Sequence, residues 1–312
     1  MPRPRVLGSA RFQAGETGMP LVTRPLHPAF AAALTGVDLR RPVAPGEIGE
    51  IVAALDRYAV VVLPGQPLDD EQQIAFSRQL GTLAVALNHG RKVGQGARLR
   101  PELFDISNLD EKHGILDAED RRRQWREGDR LWHTDRSFID ADTTYSLLSA
   151  RVLPPVGGDT EFADMRAAYD ALDAGMKRRI EGLRAEHSVW YSRALAGGTN
   201  FREDEIRTMP PVPQPLVRVH PGSGRRSLVL ASHASHIIGW PVEEGRALLA
   251  ELTAFATEPR FVYRHRWQDG DLVIWDNRST MHRGTIYDDV SYRRDLRRTT
   301  VEGRPAALAA AE

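Results

Sequence analysis

The sequence predicts a mainly β protein with inserted helices, its core a double sheet of the jelly-roll type. Three observations carry this. Apolar residues fall in many short runs of strand length, bounded by Gly, Pro, Asp and Asn. The helical stretches lie between those runs without a βαβ rhythm, which argues against a Rossmann or TIM fold. No repeat and no Pro/Ser linker divides the 312 residues, so a single domain is expected.

Taken in order, residues 1–24 are Gly-, Pro- and Arg-rich without periodicity, an expected flexible extension before a domain over 25–312. "GEIGEIVAALDRY" (Gly46 to Tyr58) has apolar residues at helical spacing and runs into "AVVVLPGQ", a buried strand closed by Pro64-Gly65. "DDEQQIAFSRQLG" reads as a helix with Asp69 as N-cap and Gly81 just past its end. Ala84 to Arg130 is charged and irregular, read as long loops. "TYSLLSARVL" and the segment after "PPVGGDT" read as strands. "RAAYDALDAGMKRRIEGLRAEH" reads as one helical stretch and "VEEGRALLAELTAFATEP" as another. "LVRVHPGSGRRSLVLASH" reads as a hairpin around Pro221-Gly222-Ser223-Gly224. "FVYRHRW", "GDLVIWDN" and "RRDLRRTTV" complete the strands.

Composition excludes several functions. Acidic and basic residues balance at 42 each, giving no electrostatic pull toward nucleic acid or an anionic membrane. Only Lys92, Lys112 and Lys177 are lysine and the other basic residues are arginine, so an arginine here signifies little by its type alone. No apolar run approaches the roughly 18 residues of a membrane span. The N-terminal stretch is positive but lacks an apolar h-region, so a cytoplasmic protein is expected, with a small-molecule substrate and a homo-oligomeric state. Cysteine is absent, which rules out disulfides, thiolate catalysis and iron–sulfur clusters. Any metal must be held by imidazole and carboxylate.

"RLWHTDRSF" supplies such a pair. In an extended strand His133 and Asp135 would project from one face. Alone, the pair equally fits a strand histidine bonded to its neighbour. "GDLVIWDNRSTMHRGT" adds His282 just past an apolar strand and a polar turn, and two imidazoles with one carboxylate make the facial triad of non-haem Fe(II). In "SYRRDLRRTTV", Arg293 and Arg297 lie four apart and share a strand face; by itself the stretch also fits a solvated basic strand, but downstream of His282 their guanidinium forks can hold two carboxylates.

The order His133-x-Asp135, Thr160 in "GGDT", His282, Arg293 and Arg297 resembles the Fe(II)/2-oxoglutarate-dependent dioxygenases of the TauD/TfdA family. The likeness runs from about Pro25 to Thr300 and is dense in "YSLLSARVLPPVGGDTEFADMRAAYDAL", "HASHIIGWPVEEGRALLAEL" and "GDLVIWDNR". It implies a double-stranded β-helix (jelly roll) core flanked by α-helices. It also implies Fe(II) on His133, Asp135 and His282, with 2-oxoglutarate and O₂ as co-substrates. By the same resemblance Arg293 pairs with the distal carboxylate of 2-oxoglutarate and Thr160 adds a hydrogen bond, while Arg297, His233 and Lys92 bind the substrate. The implied reaction hydroxylates the carbon next to the carboxylate of an aryloxyalkanoate. A sulfonate or sulfate-ester dioxygenase of the same family and a zinc hydrolase on the same three ligands are the competing readings.

Overall fold

The computed structural model describes residues 20–85, 98–198 and 201–303. In chain order the strands are β1 (Val22–Pro25), β2 (Ala32–Thr35), β3 (Val60–Leu63), β4 (Thr82–Leu83), β5 (Phe104–Ser107), β6 (Thr143–Val152), β7 (Thr160–Asp164) and β8 (Arg184–His187). Then come β9 (Val212–Pro215), β10 (Val217–Val219), β11 (Arg226–Leu228), β12 (Ala234–Ile237), β13 (Val262–His265), β14 (Leu272–Asp276), β15 (Thr280–Gly284) and β16 (Asp295–Glu302). The helices are α1 (Pro45–Tyr58), α2 (Asp70–Leu80), α3 (Arg121–Glu127), α4 (Met165–Ala171), α5 (Ala174–Ile180), α6 (Val189–Leu195), α7 (Glu203–Thr208) and α8 (Val242–Ala256).

Alternation of side chains along the strands dictates the layering. A large sheet runs β1-β2-β3-β14-β6-β16-β4, with β5 also on β16, and only β2–β3 is parallel. A smaller sheet runs β13-β7-β15. One set of alternate residues, Val60, Val62, Leu148, Val273, Trp275 and Leu296, packs between the sheets against Phe162, whose ring lies 5.4 Å from that of Trp275. The other set of the large sheet, including Val61, Leu63, Leu147, Ile274 and Val301, packs outward on Ile51 and Leu55 of α1 and Phe76 of α2. Outside the small sheet, Ala163 and Met281 pack on Ala168 of α4 and Leu248 and Leu252 of α8. Each fully buried side chain of this size contributes roughly 1.5–3 kcal/mol. Two facing sheets flanked by helices give the expected mainly β class. Asp69 caps α2 as expected, accepting a hydrogen bond from the Gln72 amide at 2.8 Å.

Four expectations need correction. The stretch from Arg166 to His187 is not one helix: Leu172 is extended, Asp173 caps a new helix through the Met176 amide (2.9 Å), and Arg184–His187 is the middle strand of β12-β8-β9. The region from Ala84 to Arg130 is not all loop. The Arg98 guanidinium, buried between Asp105 (2.7 Å) and Asp295 (2.8 Å), ties β5 to the large sheet, and α3 follows. The segment around His133 is no strand; a single bridge at His133 leads into a turn with Arg136 at φ 57°. Finally, β1 pairs with β2 from Val22, so the sheet takes in residues counted with the extension.

Candidate active site

His282 occupies β15 opposite Phe162 of β7, on the inner face of the small sheet, while its neighbour Met281 points out to α8. The bridge then brings His133 alongside. Each histidine amide donates to the other's carbonyl, at 3.0 and 2.8 Å, so the two imidazoles are held side by side with ring centres 4.2 Å apart. Thr134 points away and bonds the carbonyls of Leu230 and Thr280, both at 3.1 Å. Alternation therefore holds for the three residues that matter, although no strand forms, and Asp135 returns to the histidine side.

His133 Nε2 lies 4.0 Å from Asp135 Oδ1, and His282 Nε2 lies 3.8 Å from Asp135 Oδ2. One ligand atom from each of the three buried side chains falls within 4.8 Å of the others. These spacings are too long for hydrogen bonds and short enough for one ion to bridge. The protonation states suit a cation. His133 Nδ1 is 2.7 Å from the Leu131 carbonyl, so it carries the proton and Nε2 presents a lone pair. Burial, reinforced by the nearby His133, pushes the His282 imidazole well below its ordinary value, keeping it neutral. Burial acts to raise the Asp135 carboxyl, but the Arg298 guanidinium above all, with the Ser146 hydroxyl, holds it down at about 2. The Ser146 hydroxyl donates to Asp135 Oδ2 at 2.7 Å and accepts from Asn277 Nδ2 at 3.0 Å. Ser146→Ala is expected to reduce metal affinity roughly 10- to 100-fold, as loss of a group that orients a ligand does; titration calorimetry with Mn(II) reads it directly.

A second cluster, Asp56, His220 and Asp276, has similar spacing. Its charge is already spent. Asp276 receives Arg278 Nη2 at 2.5 Å and Nε at 2.9 Å, and His220 Nε2 lies 2.8 Å from it. It braces the start of the turn that leads into β15.

Two cavities open from the His133 side. One, of about 110 Å³, is lined by His133, His282, Thr160, Trp275, Tyr287 and Arg294 among others. The larger, of about 420 Å³, is lined by His133, Asp135, His233 and a series of apolar groups that includes Phe104, Trp125, Phe138, Ile139 and Met209. Ile106, Arg126, Asp129, His133 and Arg298 border both.

The arginines of β16 are displaced by one from the expected pair. Arg293 is exposed in the turn before the strand. Arg297 faces outward, with Nη1 2.5 Å from Asp70 of α2 and Nη2 3.2 Å from Asp295. Arg294 and Arg298 instead share the inward parity of Leu296. Arg294 is buried, and its Nη2 and Nε donate only to the Gly158 carbonyl, at 3.0 and 3.3 Å; burial pushes its guanidinium down, with Tyr287 and Asp129 opposing. Arg298 Nη1 donates to Asp135 Oδ1, and its guanidinium lies 4.9 Å from the centre of the Phe104 ring. Thr160 lines the smaller cavity and accepts from Trp267 Nε1 at 3.0 Å, which leaves its hydroxyl hydrogen to donate. His233 stands on the larger cavity with Nδ1 3.0 Å from Ser137 Oγ and its ring edge-on to Phe138 at 4.7 Å. Lys92 lies outside the described residues.

The description of the taurine catabolism dioxygenase TauD, TfdA family matches residues 23–300. The chain belongs to that family. It is 48% identical over 285 residues to the alpha-ketoglutarate-dependent 2,4-dichlorophenoxyacetate dioxygenase of Burkholderia sp. (strain RASC), covering 91% of this chain and 95% of that one. It is 38% identical to the (S)-phenoxypropionate/alpha-ketoglutarate-dioxygenase of Sphingobium herbicidovorans, with 91% and 95% covered. Among solved structures, AAD-2 in complex with Mn(II) and N-oxalylglycine superposes with a TM-score of 0.87 at 46% identity, over 92% of this chain and 99% of that one. As a TauD/TfdA-family member the chain is a dioxygenase that uses Fe(II), O₂ and 2-oxoglutarate, the alpha-ketoglutarate of those names. No helix among the described residues is long and apolar enough to cross a membrane.

Proposed function

We propose that this chain hydroxylates the carbon next to the carboxylate of an aryloxyalkanoate. The hemiacetal so formed breaks down to a phenol and a 2-oxo acid: glyoxylate from an acetate, pyruvate from a propionate. Succinate and CO₂ are the other products. The observation that carries the reading is the larger cavity, in which an apolar and aromatic group of Phe104, Trp125, Phe138, Ile139 and Met209 meets several arginines, Arg298 among them, and which reaches His133 and Asp135. That is the shape of a site for an aryl group on a short acidic tail.

In this reading His133, Asp135 and His282 hold the ferrous ion, whose chemistry with 2-oxoglutarate and O₂ supplies the oxidation. Arg294 pairs with the distal carboxylate of 2-oxoglutarate and the Thr160 hydroxyl donates to it, both from the smaller cavity. Arg298 faces the substrate carboxylate and fixes which C–H bond lies at the metal. Phe104 and Phe138 flank the aryl ring, with the ring of His233, kept neutral by burial, beside them.

Incubation with Fe(II), 2-oxoglutarate and a panel of aryloxy acids tests this. Phenol and succinate are expected in equal amounts. Sulfite or sulfate from organosulfur acids, with no phenol from any aryloxy acid, would transfer the assignment to the sulfonate and sulfate-ester branch. Product formation that persists without O₂ would point to a hydrolase.

A further inference from the structure

The rim of the site is crowded with arginines, and their carboxylates can be accounted for one by one. On α3 and the turn that follows, Arg121 lies 3.7 Å from Glu205, Arg122 2.6 Å from Glu111, and Arg123 2.8 Å from Asp289. Arg130 is 2.8 Å from Glu127 and 3.1 Å from Asp289. Arg126 is the exception. It has no ion pair among the described residues, and its Nη1 atom is buried without a hydrogen-bond partner there. The nearby carboxylates are engaged elsewhere: Asp105 by Arg98 at 2.7 Å, and Asp129 by Arg193 at 3.3 Å. That second pairing is built in, because Gly128 lets the Arg193 guanidinium pass where a Cβ would lie 1.5 Å from its Nη1. Burial accordingly pushes the Arg126 guanidinium down, with Asp105 and Asp129 opposing only in part.

A desolvated guanidinium N–H left unpaired is costly, and such groups are ordinarily satisfied by a ligand. Arg126 borders both cavities, as Arg298 does. We propose that Arg126 is a second guanidinium for the carboxylate of the organic acid, acting together with Arg298 at the wall the two cavities share. The inference rests on the aryloxy-acid reading and names what holds the acid's charged end. Of the carboxylates that enter the site, those of 2-oxoglutarate already have the metal, Arg294 and Thr160. The organic acid's has only Arg298, part of which is committed to Asp135. Two forks on one carboxylate make the enzyme select acids over their uncharged counterparts more strongly than one could.

Calorimetry on enzyme loaded with Mn(II) and N-oxalylglycine tests this, with 2,4-dichlorophenoxyacetate and uncharged 2,4-dichlorophenoxyethanol as probes. Arg126→Met should weaken binding of the acid roughly 10- to 100-fold, the loss of one charged hydrogen bond, and leave the alcohol unchanged. Affinity for N-oxalylglycine should not move. The melting temperature should hold or rise, since no partner is orphaned; a structural arginine would lower it. Arg126→Lys keeps the charge without the fork and should fall between. An unchanged affinity for the acid overturns the inference alone, and so does a parallel loss for N-oxalylglycine. If the unaltered enzyme binds no aryloxy acid, the functional reading falls and takes the inference with it.

Discussion

Arg294→Ala is expected to weaken 2-oxoglutarate binding by roughly 100- to 1,000-fold, the cost of leaving one member of a buried charge pair alone. Arg293→Ala should leave it within about 2-fold, as for most exposed positions. The contrast follows from placement. Arg294 is buried on the smaller cavity, and its guanidinium donates to the backbone carbonyls of Gly158 and Ile106 with no carboxylate on it among the described residues, whereas Arg293 faces solvent. Arg297→Ala should in turn cost stability through Asp70 and Asp295 while leaving both substrates' affinities alone. The apparent KM for 2-oxoglutarate and direct titration of N-oxalylglycine measure the effect. Equal losses at 293 and 294 would remove Arg294 from its proposed role.

Loss of the carboxylate from the triad should be more severe. Asp135→Ala is expected to abolish turnover and reduce Mn(II) affinity by at least about 10³-fold, several kcal/mol of lost charge stabilisation. Two effects add. The cation loses its anionic ligand, and the Arg298 guanidinium beside it loses its partner, so the site changes from balanced to repelling. Asp135→Asn separates charge from shape: it keeps the volume and an oxygen for the Ser146 hydrogen bond but not the charge, and should still bind metal poorly. Mn(II) affinity retained within about 10-fold in Asp135→Ala would mean that the carboxylate is not a ligand.

Much of this was legible before any coordinates. The three candidate ligands and the double-sheet class could be read in the sequence because short polar motifs at strand ends and alternating apolar runs are local signals; Thr160 entered only through the family resemblance. The arginines show where such reading stops. "RRDLRR" contains two pairs four apart, 293 with 297 and 294 with 298, and alternation says that each pair shares a face without saying which face is inward. Only the pairing of β16 with β6, and Leu296 packing against Trp275, decide it. The same limit hid Arg126. It sits among Arg121, Arg122, Arg123 and Arg130, and nothing along the chain marks it as the one whose carboxylate is missing. The break after Ala171 was invisible for another reason: Asp173 is an ordinary surface residue in a helix-period pattern until its side chain is seen capping Met176.

The reciprocal main-chain bonds between His133 and His282 have a consequence for how the enzyme acquires its iron. Because the polypeptide itself ties these two positions together, the socket is completed by folding and does not wait for the ion to gather its own ligands. Metal should then come and go from a protein whose architecture stays intact, so stripping with a chelator and refilling with a different divalent ion ought to be reversible rather than denaturing.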